Sequence, residues 1–245
     1  MTVDRWTRAV RQQVGLGRIL PLGEARDGAW IAERAVETVL RRAAARGAPG
    51  VRLDGLRVGL ADPEDVGEPV VPPPPSALPP GPLRLTAEFA ATAAQPLPVA
   101  ASRLRTALAE AAAERIGLAV AEVDLRVTEL LEAEPPATEP PGAPAVPPTH
   151  AEPETAPEPG DSEAGRVAAA ALAVPGVTRL AGTLGRPVHL TELPGGTALP
   201  RRHARVDLAV RADTRPLDVA RAVRSAVAAS LPDRPTVAVL VTALD

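Results

Sequence analysis

Three histidines, His150, His189 and His203, are the side chains best suited to proton transfer or metal binding near neutral pH. His150 lies in a stretch rich in proline and glutamate. His189 and His203 fall on two strand-like segments around a turn and can be neighbours across a hairpin. No carboxylate or third imidazole stands at ligand spacing from them, so surface strand histidines are expected rather than a metal site or a proton-transfer pair. Ser76, Ser102, Ser162, Ser225 and Ser230 lie in no G-x-S-x-G elbow, and none has a histidine close in sequence. The carboxylates are spread over polar helix faces and the proline-rich stretch, where solvation explains them better than acid–base chemistry. Without cysteine the chain has no disulfide, thiol nucleophile or thiolate ligand. No catalytic residue, metal or cofactor is expected, and the chain does not read as an enzyme.

Two glycine motifs point toward phosphate or nucleic acid. "GLGR" (15–18) follows no strand, lacks a third glycine and precedes no Lys-Ser/Thr, so it fails as a phosphate loop. "GAPG" (47–50) matches G-x-x-G formally, but it leads from a helix to a strand instead of joining two helices. The net charge of -3 and the 1% aromatic content give neither a basic field nor a stacking platform. Nucleic acid is therefore not an expected partner. An RNA- or nucleotide-binding module of KH-like layout is the alternative reading.

One stretch suits a partner directly. As a helix, "DRWTRAVRQQVG" (4–15) groups Trp6, Ala9, Val10 and Val14, with Arg5, Arg8 and Arg11 around them. Residues 1–17 thus read as a basic amphipathic segment, which either packs its tryptophan on the following domain or meets an acidic partner or a membrane surface. Trp6, Arg8 and Arg11, with the outward-facing Arg221 and Arg224 farther on, are the candidate partner-binding residues. No apolar run is long enough to span a membrane, and the N-terminus lacks the apolar region of a secretory signal, so a cytoplasmic location is expected.

The elements that would position such residues divide the chain in two. Residues 133–160 mix Pro, Glu, Ala and Thr with almost nothing to bury, and read as a disordered linker between a first domain (18–132) and a second (161–245). A second proline-rich run, 63–82, reads as a long, locally disordered loop inside the first domain. In the first domain, 29–45 places Ile31, Ala35, Val36, Val39, Leu40 and Ala43 on one helical face. "VRLDGLRVGLAD" and "LRLTAEFAA" follow as strands, then a helix from "QPLPVAASRLRTAL" (95–108) and the strand "AEVDLRVTEL". In the second, 163–177 reads as helix, 186–193 and 203–212 as strands, 216–230 as helix and 236–244 as strand. Pro49-Gly50-Val51 matches Pro175-Gly176-Val177, Leu97 matches Leu217, Val99 matches Val219, and "RVTEL" matches "LVTAL". The expected fold class is α+β: two tandem α-β-β-α-β units, each a three-stranded sheet with helices on one face and open edges.

These segments, from "AAAALAVPGVTRLAG" through "RVDLAVRADTRPLDVARAVRSAV" to "TVAVLVTAL", resemble the alkaline shock / envelope stress response family of Gram-positive bacteria. The chain looks like a duplicated actinobacterial member, a kind sometimes labelled nucleopolyhedrovirus-type. The resemblance implies a non-enzymatic scaffold acting through protein–protein contacts, gathered at the membrane by a small membrane-anchored partner. Tethering the two units also predicts that they dock weakly as an intramolecular pseudo-dimer while folding separately.

Overall fold

A computed structural model describes residues 16–132, 162–182, 186–193 and 201–245. The linker 133–160 and the 1–15 part of the N-terminal segment, with Trp6, Arg8, Arg11 and His150, lie outside these residues. Among the described residues the fold is mixed α/β, with four α-helices and two sheets of six and three strands.

The chain begins with two short strands, β1 (Ile19–Pro21) and β2 (Ala29–Ala32), joined by a 3-10 turn at Ala25–Asp27. Helix α1 (Glu33–Gly47) follows, burying Ala35, Val36, Val39, Leu40, Ala43 and Ala44 at the spacing of one helical face. Strands β3 (Val51–Leu60) and β4 (Leu83–Thr92) come next, then α2 (Leu97–Glu110), which widens into a π-helical turn over Ala111–Ile116, and β5 (Val120–Leu131). The second half supplies α3 (Glu163–Leu172), β6 (Val177–Leu180), β7 (Val188–Leu193), β8 (Arg201–Val210), α4 (Pro216–Ser230) and β9 (Thr236–Leu244).

The smaller sheet has the order β3-β4-β5, with β3 antiparallel and β5 parallel to β4. Leu83, Leu85, Ala87 and Phe89 alternate inward from β4 and are fully buried. The opposite face is charged and cross-paired, with Arg52 2.9 Å from Glu129 and Arg84 2.6 Å from Glu122. Those pairs are solvent-exposed and contribute little to stability. The outer edge of β3 is guarded by side chains. Glu33 accepts the Val58 N–H at 3.1 Å, Arg18 donates to the Val58 carbonyl at 3.2 Å, and Arg41 donates to the Leu53 carbonyl at 2.8 Å.

The larger sheet runs β1-β2-β9-β8-β6, with β7 also on β8. Here the second half departs from the expected isolated three-stranded sheet. Strand β2 lies parallel against β9, Ala29 opposite Val239 and Ile31 opposite Val241, so strands from both halves share one sheet. Residues 29–32, expected as helix, are strand because both faces of this segment are buried. The expected 163–177 helix stops at Leu172, and β6 takes up the chain after the Pro-Gly turn.

One contiguous apolar core contains residues of both halves, among them Leu40, Phe89, Leu108, Leu217 and Val239. A second, smaller cluster occupies the other face of the larger sheet: Ile19, Trp30, Ala238 and Leu240, closed over by Val71. Val71 belongs to the proline-rich 63–82 loop, which has a defined course. The Leu78 N–H donates to Ile19, Val70 to Ala25 and Gly67 to Pro80 through main-chain bonds. The non-proline residues of the loop supply the N–H donors, and a proline carbonyl can still accept, as Pro80 does from Gly67.

Candidate functional site

A polar constellation lies where the halves meet. Gly23 and Gly28 bracket the 3-10 turn, and both have left-handed φ (78° and 54°). The turn folds Asp27 back so that Oδ2 accepts the Glu24 N–H at 2.8 Å. Arg221 of α4 closes a fork on the same carboxylate, Nε to Oδ1 at 2.9 Å and Nη2 to Oδ2 at 3.0 Å. Burial by itself would raise the Asp27 carboxyl. The Arg221 and Glu24 hydrogen bonds and the nearby arginine charges outweigh it and hold the group below the usual carboxylate value. One helical turn on, Arg224 donates to the carbonyls of Arg26 (2.7 Å), Asp27 (2.6 Å) and Val237 (3.1 Å). Burial works against the Arg224 charge, and Asp27 supports it.

Leu217, at the start of α4, is the apolar wedge of this seam. It is buried beside Gly23 and Gly117, and a Cβ placed on Gly117 would lie 2.5 Å from the Cβ of Leu217. Gly117 also has φ 98°. Its lack of a side chain serves both the turn after the π-helical segment and the close approach of α4. Arg215 adds a bond to the Ala113 carbonyl at 3.0 Å.

A second group lies on β7, β8 and β9, on the same face of the larger sheet as Trp30. Asp207 is fully buried, and Oδ1 accepts from Arg205 Nε at 3.1 Å. Burial, only partly offset by Arg205, pushes its carboxyl up to about 6. Asp207 Oδ2, Trp30 Nε1 and His189 Nε2 are buried and have no hydrogen-bond partner among the described residues. His189 stands opposite Arg205 and His203 opposite Thr191, so the two imidazoles are diagonal neighbours across the β7–β8 hairpin. His203 Nδ1 lies 3.0 Å from Thr236 Oγ1. The expectation of surface histidines fails for His203, which is buried, while His189 is half-buried. His203 is 6% exposed, and burial, then the Arg205 charge, lowers both imidazoles. His203 lies on β8, which has paired strands on both sides, whereas β7, with His189, is paired with β8 alone. With no exposed surface, Asp207 meets no substrate in this conformation.

The "GAPG" stretch ends α1 and turns into β3, with Gly50 at φ 78°. It borders an open cleft of about 490 Å³ lined by Pro49, Thr92, Gln95, Arg103 and Glu132. Gln95 donates to the Pro49 carbonyl at 3.1 Å and accepts from Arg103 at 3.1 Å, so its amide is used in holding the turn.

Of the candidate partner-binding residues, the structure brings together Arg221 and Arg224, and it sets both against the chain's own turn at residues 24–28. Sequence reading missed Asp27, Asp207 and Trp30. The one available signal was the pair of glycines bracketing "GEARDG", which marks a turn between two strands. Comparison with protein-family models, with curated proteins and with solved structures finds no match.

Proposed function

We propose that this chain is a non-enzymatic scaffold built from two tandem alkaline-shock-like α+β units, working through protein–protein contacts in the cell-envelope stress response. The observation that carries the reading is a repeated strand grammar. In each half the middle strand, β4 or β8, has an antiparallel neighbour before it in sequence and a parallel neighbour after it, with a helix in the parallel crossover. Each crossover helix also sends an arginine to the strand that follows it, one position out of the Leu97–Leu217 register: Arg105 of α2 donates to the Val123 carbonyl at 3.3 Å, and Arg224 of α4 to that of Val237. Two copies of one unit within a chain offer two related surfaces, which suits a connector. Among the described residues no helix is long and apolar enough to cross a membrane, so a membrane location in this reading runs through a small membrane-anchored partner.

The test is capture of the full chain from its native host, with and without detergent extraction of membranes, under envelope stress and in its absence. Stress-dependent recovery with a membrane protein, lost on detergent washing, is expected. Salt-sensitive retention on a polynucleotide without membrane recovery would replace the scaffold with the KH-like alternative.

A further inference from the structure

Strand β9 and strand β5 hold corresponding places in their halves, yet only one has its outer edge filled. On β9, the Val239 N–H donates to the Gly28 carbonyl at 3.0 Å, β2 continues in parallel, and Val239 and Val241 are fully buried. On β5 no strand pairs with the outer side among the described residues. Val127 is 40% and Leu130 58% exposed, although their β4 neighbours Phe89 and Ala91 are in the core. The arginine clamp is nevertheless present at both edges. Arg224 holds Val237 and extends two further bonds to carbonyls of the turn just before β2, whereas Arg105 holds Val123 and its terminal nitrogens have no partner among the described residues.

We propose that the β5 edge is a docking site for an extended segment of a partner protein, added parallel to β5 as β2 is added to β9, with its preceding carbonyls taken by Arg105. Because Val123 turns its carbonyl to the outer side, the two-residue period of a strand turns the peptide groups of Leu125 and Val127 the same way. The occupant's inward residues are apolar and cover Val127 and Leu130. Its outward residues meet Asp124, Arg126 and Glu129, which are 60%, 78% and 59% exposed, so they read basic, acidic, basic. A second copy adding its own β5 in antiparallel fashion fits less well. Centred on Leu125, it would need the Val123 carbonyl for a main-chain bond from Val127, and Arg105 already occupies that carbonyl.

This deepens the scaffold reading and depends on it only for the occupant being a protein. The probe is the synthetic peptide Gly-Arg-Val-Glu-Val-Arg-Val, with its charge-reversed counterpart as control, added to the full chain and followed by amide exchange and NMR shifts. In the free chain, the amides of Leu125 and Val127 should exchange quickly and those of Val239 and Val241 slowly. The peptide should protect the first pair with a Kd on the order of 100 μM. Arg105→Ala and Asp124→Arg, both at exposed positions, should each weaken binding by about fivefold. No protection at millimolar peptide, equal binding of the reversed peptide, or unchanged affinity in Arg105→Ala overturns the proposal. Protection that appears without peptide and grows with protein concentration makes a second copy the occupant and overturns it as well. Peptide binding by a protein that never associates with membranes would instead sink the envelope reading and leave this one standing.

Discussion

Arg221 and Asp27, 194 positions apart in sequence, close a two-bond fork on one another across the meeting of the two halves. The carboxylate is buried and the guanidinium is partly exposed, so the pair is asymmetric: removing the arginine strands a charge, and removing the aspartate does not. Arg221→Ala is expected to cost about 2 kcal/mol in urea unfolding at pH 7, and Asp27→Asn less. Because the Asp27 carboxyl is lowered in the folded chain, its contribution is complete above the unfolded value near 4 and is lost as pH falls through the folded value. Equal losses for the two variants, or an Arg221→Ala effect unchanged at pH 2.5, would contradict this assignment.

Asp207 should behave in the opposite sense. Its carboxyl is raised to about 6, so the folded chain holds a proton that the unfolded chain releases, and stability falls as pH rises from about 4 to 6. Asp207→Asn is expected to stabilise the protein by about 2 kcal/mol at pH 8 and to have almost no effect at pH 4. His189 and His203 are lowered, so their contribution is present above about 6.5 and is lost on acidification. The two slopes oppose each other in the wild type. A pH series of melting temperatures should therefore be flatter for the wild type than for Asp207→Asn between pH 4 and 6.5.

The Leu217 wedge and Gly117 form a coupled pair. Leu217→Ala should cost about 3 kcal/mol as a large-to-small change at a buried site. Gly117→Ala should also be costly, since the new methyl group meets Leu217 at a strained φ. In the Leu217→Ala background the glycine substitution should stay costly, because alanine keeps the Cβ that lies 2.5 Å away, whereas in a Leu217→Gly background the clash is gone and only the backbone strain is left. Strict additivity with Leu217→Gly in chemical denaturation would show that the two do not touch in solution.

The shared sheet changes what is expected of the separated halves. Weak docking of independently folded units is replaced by a dependence of each half on the other, since β2 has β9 as a neighbour and the core is continuous. A protease site placed near residue 146 should be cut without separating the fragments on size exclusion at micromolar concentration. Expressed alone, residues 161–245 should self-associate through the uncovered edge of β9. Two stable monomeric fragments that ignore each other on mixing would rule this out.

Most helices and long strands were legible because their apolar residues repeat with the period of the element, as in Leu83-Leu85-Ala87-Phe89 and in Val219-Val223-Val227. Strand β2 was not. "AWIA" is buried on both faces, shows no alternation and runs directly into the apolar stripe of α1. The seam was hidden for a different reason. Arg221 and Arg224 sit at the spacing of a solvated helix face, and nothing within a helical turn discloses a carboxylate so far away in sequence. The course of the 63–82 loop was masked by its own composition, because the scattered non-proline residues whose N–H groups pin it, Gly67, Val70 and Leu78, follow no periodic pattern.

The parallel pairing of β2 with β9 also sets an order of events during synthesis. Strand β2 leaves the ribosome early, and the strand it pairs with is made only after everything from Glu33 to Pro235. Until then Trp30 lacks its cover by Leu240, and the nascent first half carries an unfinished edge. Its completion is a late closure that stitches two strands more than 200 residues apart in sequence. The burial of Trp30, read from its fluorescence, would mark the moment at which β9 closes on β2.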